Sequence, residues 1–230
     1  MTRVVVVTGG TRGIGRAVAE RLAAAGDRVI AVGRAECDVT DEQAVAAFFE
    51  RAGEIDVLVN NAGVSASAPL PRTTLHDWRA QLDVNATGAF LCTRAVLPGM
   101  LERDRGRIVT VASTAGRAGS RYTAAYAASK HAAVGLMRAV AAEVAGTGVT
   151  ANAVCPGFVR TEMTDRSIAR IAEATGRSAD EAETALAASS PLGRLLEPAE
   201  IAFAVEFLAS PEAGAINGQT LILDGGGIQT

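Results

Sequence analysis

Val4-Val5-Val6-Val7-Thr8-Gly9-Gly10-Thr11-Arg12-Gly13-Ile14-Gly15 is the stretch that decides the fold. Its four valines are a continuous β-branched run, which suits a parallel strand buried on both faces rather than a half-exposed alternating one. From Ile14 the spacing turns helical, with Val18, Leu22 and Ala25 on one face and Gly26 as the stop signal. Strand, glycine-rich turn and helix open a βαβ unit. The turn departs from G-x-G-x-x-G, because Val18 stands where a count from Gly13 needs the last glycine. It still suits an anion: glycines let the backbone approach a pyrophosphate, and a helix starting near Gly13 aims free N–H groups and its positive dipole end at it.

Outward from that stretch, Arg28–Val32 is expected as the second strand, followed by strands at 55–59, 107–111, 149–154 and 219–223. Helical patterns at 78–100, 124–145 and 198–209 separate them, with an earlier helix opened by Thr40 and Gln43 as a capping box. Strands alternating with helices imply an α/β fold: a single doubly wound Rossmann-like domain over 1–230, with about six to seven parallel strands and helices on both faces. Only Arg34-Ala35-Glu36 separates the second strand from Cys37-Asp38-Val39, whereas a parallel crossover needs about a dozen residues or more. The sheet is therefore expected to be shortened after its second strand.

The chain has 230 residues and a net charge of −3, so no overall positive field favours nucleic acid or anionic lipid. Hydrophobic residues at 49% against 20% charged ones are a globular composition. No secretory leader or apolar run of about 20 residues occurs, which implies a cytoplasmic protein without membrane contact. Cys37, Cys92 and Cys155 are far apart and lack metal-ligand spacing with His76 or His131, so buried reduced thiols and no metal are expected.

Chemistry concentrates where strands end. Asn60-Asn61-Ala62-Gly63 follows the third strand, Asn85 sits in Asp83-Val84-Asn85-Ala86, Ser113 ends the fourth strand, and Tyr126-Ala127-Ala128-Ser129-Lys130 lies within a helix. Tyr126 and Lys130, four apart, share one helix face. An ammonium beside a phenol favours phenolate, so the pair is expected to bring the tyrosine pKa down toward working pH. His131 is turned about 100° away and is expected to be structural.

In order along the chain, T-G-x-x-x-G-x-G, N-N-A-G, Asn85, Ser113 and Y-x-x-x-K resemble the short-chain dehydrogenase/reductase family, as do Pro156-Gly157 and the Asp224-Gly225-Gly226 tail. The resemblance covers nearly the whole chain. It implies that Tyr126 gives its proton to a carbonyl oxygen during reduction, that Ser113 hydrogen-bonds the same oxygen, that Lys130 also holds the nicotinamide ribose, and that Asn85 supports a water linking Lys130 to solvent. It further implies cofactor contacts from Gly9, Thr11, Arg12, Gly13, Ile14 and Gly15 in the turn, and from Arg34, Asp38 and Val39 after the second strand. Asn61, Ala62 and Gly63, together with Pro156, Gly157, Val159 and Thr161, complete that set.

Gly33 stands where a NAD enzyme of this architecture generally places an acid, and Arg34 and Arg12 are positioned to flank a 2′-phosphate. NADP(H) is therefore the expected cofactor, with NAD(H) possible because Glu36 and Asp38 are near. The expected reaction is hydride transfer between NADP(H) and a carbonyl or secondary alcohol, with a small-molecule 3-oxoacyl thioester or similar ketone as substrate, as in bacterial ketoreductases. Alternatives are an NAD-linked dehydrogenase of a cyclic or steroid alcohol, and a non-catalytic dinucleotide sensor. A substrate lid is expected at about 161–190, as two short helices broken at Gly176. There Arg160, Arg166, Arg170 and Arg177 form either a phosphate-binding set or a solvated charged face. The resemblance also implies a homotetramer.

Overall fold

β1 (Val4–Thr8) pairs in parallel with β2 (Arg28–Val32) on one side and β3 (Val57–Asn60) on the other. This explains its unbroken apolar run: Val5, Val6 and Val7 are fully buried. β4 (Gly106–Val111), β5 (Val149–Pro156) and β6 (Thr220–Leu223) continue the sheet, all parallel, in the order β2-β1-β3-β4-β5-β6. The computed structural model describes residues 2–229.

Side chains alternate across each strand, so successive valines serve two cores. Val5 and Val7 pack with Val18 and Leu22 of α1 (Gly13–Ala24) and with Ile201 and Val205 of α8 (Pro198–Ala209). Val6 points the other way, into a core shared with α2 (Glu42–Ala52), α4 (Gly88–Glu102) and α5 (Ala124–Glu143). Strand order reverses between β1 and β3, and in open α/β sheets the crevice at the carboxyl ends of such strands is where ligands sit.

The sheet stops at β2, as the short spacing implies. Instead of a crossover helix, the chain turns at once, with Cys37 N–H donating to Gly33 O at 3.1 Å, and buries Cys37 and Val39 in the α2-side core. Two expectations need correction here. The cap of α2 is Asp41, whose carboxylate accepts from the N–H groups of Gln43 and Ala44, whereas Thr40 is held by Asp38. A carboxylate one residue nearer the helix outcompetes the hydroxyl for these N–H groups. The helix expected over 78–100 is three pieces: α3 (Leu75–Leu82), one π-helical turn (Asp83–Thr87), and α4. The extra residue of a π turn disturbs apolar periodicity too little to show in sequence, yet such turns recur at functional sites. Between β5 and α8 lie α6 (Glu162–Thr175) and α7 (Ala179–Ala187), separated at Gly176, whose φ of 71° is left-handed.

Leu58 on β3 is fully buried in the α2-side core. Leu58→Ala is expected to cost about 2–5 kcal/mol, the range for a leucine cavity that cannot collapse. Chemical denaturation checks this, with an unshifted midpoint as the contrary outcome.

Candidate active site

The turn after β1 is built by its neighbour across the switch point. Asn61, just past β3, donates from Nδ2 to the carbonyls of Thr8 and Gly9 at 2.9 and 3.0 Å, while Thr8 Oγ1 accepts from the N–H groups of Asn61 and Ala62. Gly9 is left-handed at φ 61°, and a Cβ on Gly15 would lie 2.2 Å from Gly9 O and 2.4 Å from Asn61 Nδ2. No side chain fits at Gly9 or Gly15, so the turn closes backbone to backbone there. α1 also begins without a side-chain cap and with no acid in its first turn, whereas α2, α3, α6 and α7 are capped by Asp41, Thr74, Thr161 and Ser178. Its first N–H groups remain free for an anion. These features fit the dinucleotide that the sequence implies.

Thr161 packs on the same turn, close to Gly13, and also caps α6. Ile14 packs at the edge of the α1-side core. Gly157 donates its N–H to Leu223 O and follows Pro156, the last residue of β5. The Val159 and Val39 side chains are buried, and Val39 packs against Gly88 at the start of α4. Arg34 pairs with Asp38 at 2.9 Å and Arg12 with Glu162 at 3.2 Å, all at the surface. Asp38 also takes both hydrogen bonds from Thr40, which, with Arg34, holds its carboxyl below the usual range. Glu36 folds back onto Gly33 N–H at 2.9 Å and lies beside Thr11.

On the far side of the switch point, β4 delivers Ser113 and α5 delivers Tyr126 and Lys130. Lys130 is 5% exposed and donates to Val111 O at 2.9 Å, with Nζ 6.0 Å from the Tyr126 ring centroid. The π-helical turn places Asn85, 3% exposed, where Oδ1 accepts from Val64 N–H and Nδ2 donates to Val64 O and Ser129 Oγ. Asn85 Oδ1 and Lys130 Nζ both flank Gly63. Asn85, Ser113, Tyr126 and Lys130 thus line one cleft with the glycine-rich turn, and His131 lies outside it, exposed and bonded to Ala127 O.

The electrostatics correct one expectation. Burial pushes the Tyr126 phenol above its ordinary value, opposed in part by hydrogen bonding to Ser113, and burial brings the Lys130 ammonium down to about 8. Sequence spacing promised a lowered tyrosine. Desolvation outweighs the ammonium because Lys130 is directed at a backbone carbonyl, not at the phenol oxygen.

Three contributors escaped the sequence. Thr8 ties the two turns together, Ser129 links Asn85 to Tyr126 O, and buried Gln81 accepts from Ala66 N–H at 3.1 Å. A polar residue inside an alanine-rich helix, three after the tyrosine, was the signal available for Ser129. Of the four arginines singled out around 160–177, Arg160 is clasped by Glu183 and Glu197, Arg166 lies 3.9 Å from Glu162, and Arg170 meets Ser167. The Arg160 contacts tie α7 to the start of α8.

Residues 31–227 match a family model described as enoyl-(acyl carrier protein) reductase, and residues 3–40 match the short chain dehydrogenase model. The 3-oxoacyl-(acyl-carrier-protein) reductase of Vibrio cholerae is 39% identical over 97% of this chain and 96% of its own. Among solved structures, actinorhodin polyketide ketoreductase with NADPH superposes with a TM-score of 0.92 at 38% identity, covering 98% of this chain and 97% of that one. Levodione reductase gives 0.89 at 32% identity, covering 97% and 96%. Sequence, sheet order and cleft agree: the chain belongs to the short-chain dehydrogenase/reductase family.

Proposed function

We propose that this enzyme reduces a 3-oxoacyl thioester or similar ketone with NADPH, and that the observation carrying this is the convergence of Ser113, Tyr126 and Lys130 near a glycine-rich turn that opens an uncapped helix. When bound, the reduced nicotinamide supplies the hydride. Gly9 to Gly15 would hold its pyrophosphate, and Lys130 its ribose. Ser113 orients the substrate oxygen. Tyr126 gives that oxygen its proton, and a phenol held above its ordinary pKa keeps the proton until it is needed. The Lys130 ammonium then steadies the developing phenolate. Asn85 acts by fixing Val64 and Ser129 around them.

The lid at 161–190, a cytoplasmic homotetramer and a single 1–230 domain belong to the same proposal. Exposed Phe203 and Phe207 on α8 and Leu221 on β6 favour the oligomer. Similarity to levodione reductase keeps a compact cyclic ketone as the second substrate class. One screen of acyl thioesters, cyclic diketones and steroids with each nicotinamide separates these readings, and silence with cofactor bound would favour the sensor.

Tyr126→Phe is expected to abolish turnover while leaving NADPH affinity within a few-fold, and Ser113→Ala to lower turnover by about 10²-fold or more. Parent-level ketone reduction by Tyr126→Phe would refute the mechanism.

The pH dependence has a defined sign. Reduction needs the protonated phenol, so its kcat/KM should hold through neutrality and fall at alkaline pH. Loss of the Lys130 charge near pH 8 reinforces the fall. Alcohol oxidation needs phenolate and should rise with pH over the same interval. Profiles recorded in both directions check this, and reduction that climbs from pH 7 to 10 is the contrary result.

Arg12 and Arg34 are each engaged by a carboxylate, but exposed pairs are worth about 0–1 kcal/mol. Charge-assisted bonds to a phosphate are worth about 1.5–3 kcal/mol each, so a 2′-phosphate displaces Glu162 and Asp38. Arg34→Ala should weaken NADPH about tenfold and barely affect NADH. Titration of both nucleotides tests this, and a parent that already favours NADH refutes it.

A further inference from the structure

The segment after Gly63 is pinned at alternate residues. Val64 N–H donates to Asn85 Oδ1 at 2.9 Å, Ala66 N–H to Gln81 Oε1 at 3.1 Å, and Ala68 N–H to Tyr122 O at 2.9 Å. Asn85 and Gln81 are one turn apart on α3 and its π extension, and both are buried. Tyr122 delivers its carbonyl from a left-handed backbone, φ 68°, which aromatic residues rarely adopt. Holding every second N–H on one side leaves the intervening ones on the other edge, as in a strand. Among the described residues, neither the N–H nor the hydroxyl of Ser65 or Ser67 has a protein partner. Ser67 is exposed and Ser65 partly so.

The segment also has a direction. It starts at Gly63, against Asn85 Oδ1 and Lys130 Nζ, and runs to Leu70, which is 68% exposed. On the way, residues 66–68 border a small cavity with Tyr122 and Ala125, the residue before Tyr126. A ligand whose carbonyl lies at Tyr126 would trail its remaining chain along this edge toward solvent.

We propose that residues 64–68 form a main-chain ledge that binds the secondary amides in the thiol arm of an acyl thioester, with Ser65 and Ser67 N–H donating to amide carbonyls. The proposal rests on the thioester reading above. Two free donors two residues apart, on an otherwise tied backbone, are what an extended amide chain pairs with when it adds to a strand edge. An amide-free ketone gains nothing from them. Gln81 is a positioning residue in this scheme, since it touches the ledge and not the substrate.

The test compares 3-oxobutanoyl thioesters of N-acetylcysteamine, which has one amide, and of pentanethiol, a chain of similar length with none. The parent is expected to favour the amide-bearing thioester in kcat/KM. Proline removes an N–H, so Ser65→Pro or Ser67→Pro should reduce that preference about fivefold or more, whereas Ser65→Ala/Ser67→Ala, which keeps both N–H groups, should retain most of it. Gln81→Leu should reduce the preference through KM rather than kcat. A parent without preference overturns the ledge, even if the proline variants do not fold. So does an unchanged preference in a folded proline variant. A parent inactive on both thioesters but active on cyclic ketones overturns the thioester reading itself.

Discussion

Everything at this site depends on one constraint: the turns that follow β1 and β3 must be held side by side, close enough that Gly9 and Gly15 leave no room for a side chain. Asn61 and Thr8 meet it together. The amide takes two carbonyls of the glycine turn, and the hydroxyl takes two N–H groups from the turn after β3. The pair is reciprocal, so neither turn holds its shape without the other. Their closeness is also why Gly15 tolerates no Cβ. With the turn fixed, α1 starts where its uncapped N–H groups face the cleft.

A second layer of constraint governs the proton. Lys130 and Ser113 are nearly removed from water, and Tyr126 is partly so. In that setting desolvation decides protonation: it raises the phenol and lowers the ammonium, so that each tends toward its neutral form. A phenol that retains its proton suits the donor role proposed for Tyr126. The lysine is anchored to the carbonyl of Val111, the last residue of β4 and two residues before Ser113, so this strand end fixes both side chains.

The surface charges around this core are exchangeable. Arg12, Arg34 and Arg160 each pair with carboxylates, and all are largely exposed. Arg160 thereby joins α7 to the start of α8, which argues for a structural part more than for a phosphate site. Glu36, in the short connection after β2, accepts the N–H of Gly33.

Sequence by itself determined the fold class, the early end of the sheet at β2 and the six strands to within a residue or two, and it named the residues that the structure brings together around Tyr126. Each rests on local information: the valine run, the three residues Arg34 to Glu36 before Cys37, and the four-residue spacing of Tyr126 and Lys130. Tertiary structure alone decided the rest. The π-helical turn at Asn85 leaves no periodic trace, because five residues shift register without changing which face is apolar. The Thr8–Asn61 lock and the tying of Ala66 by Gln81 join residues 53 and 15 positions apart, which no pattern along the chain reveals. The tyrosine shows the physical reason most plainly. Spacing could place an ammonium beside it, but only packing determined how little water reaches the pair, and the missing water outweighs the charge.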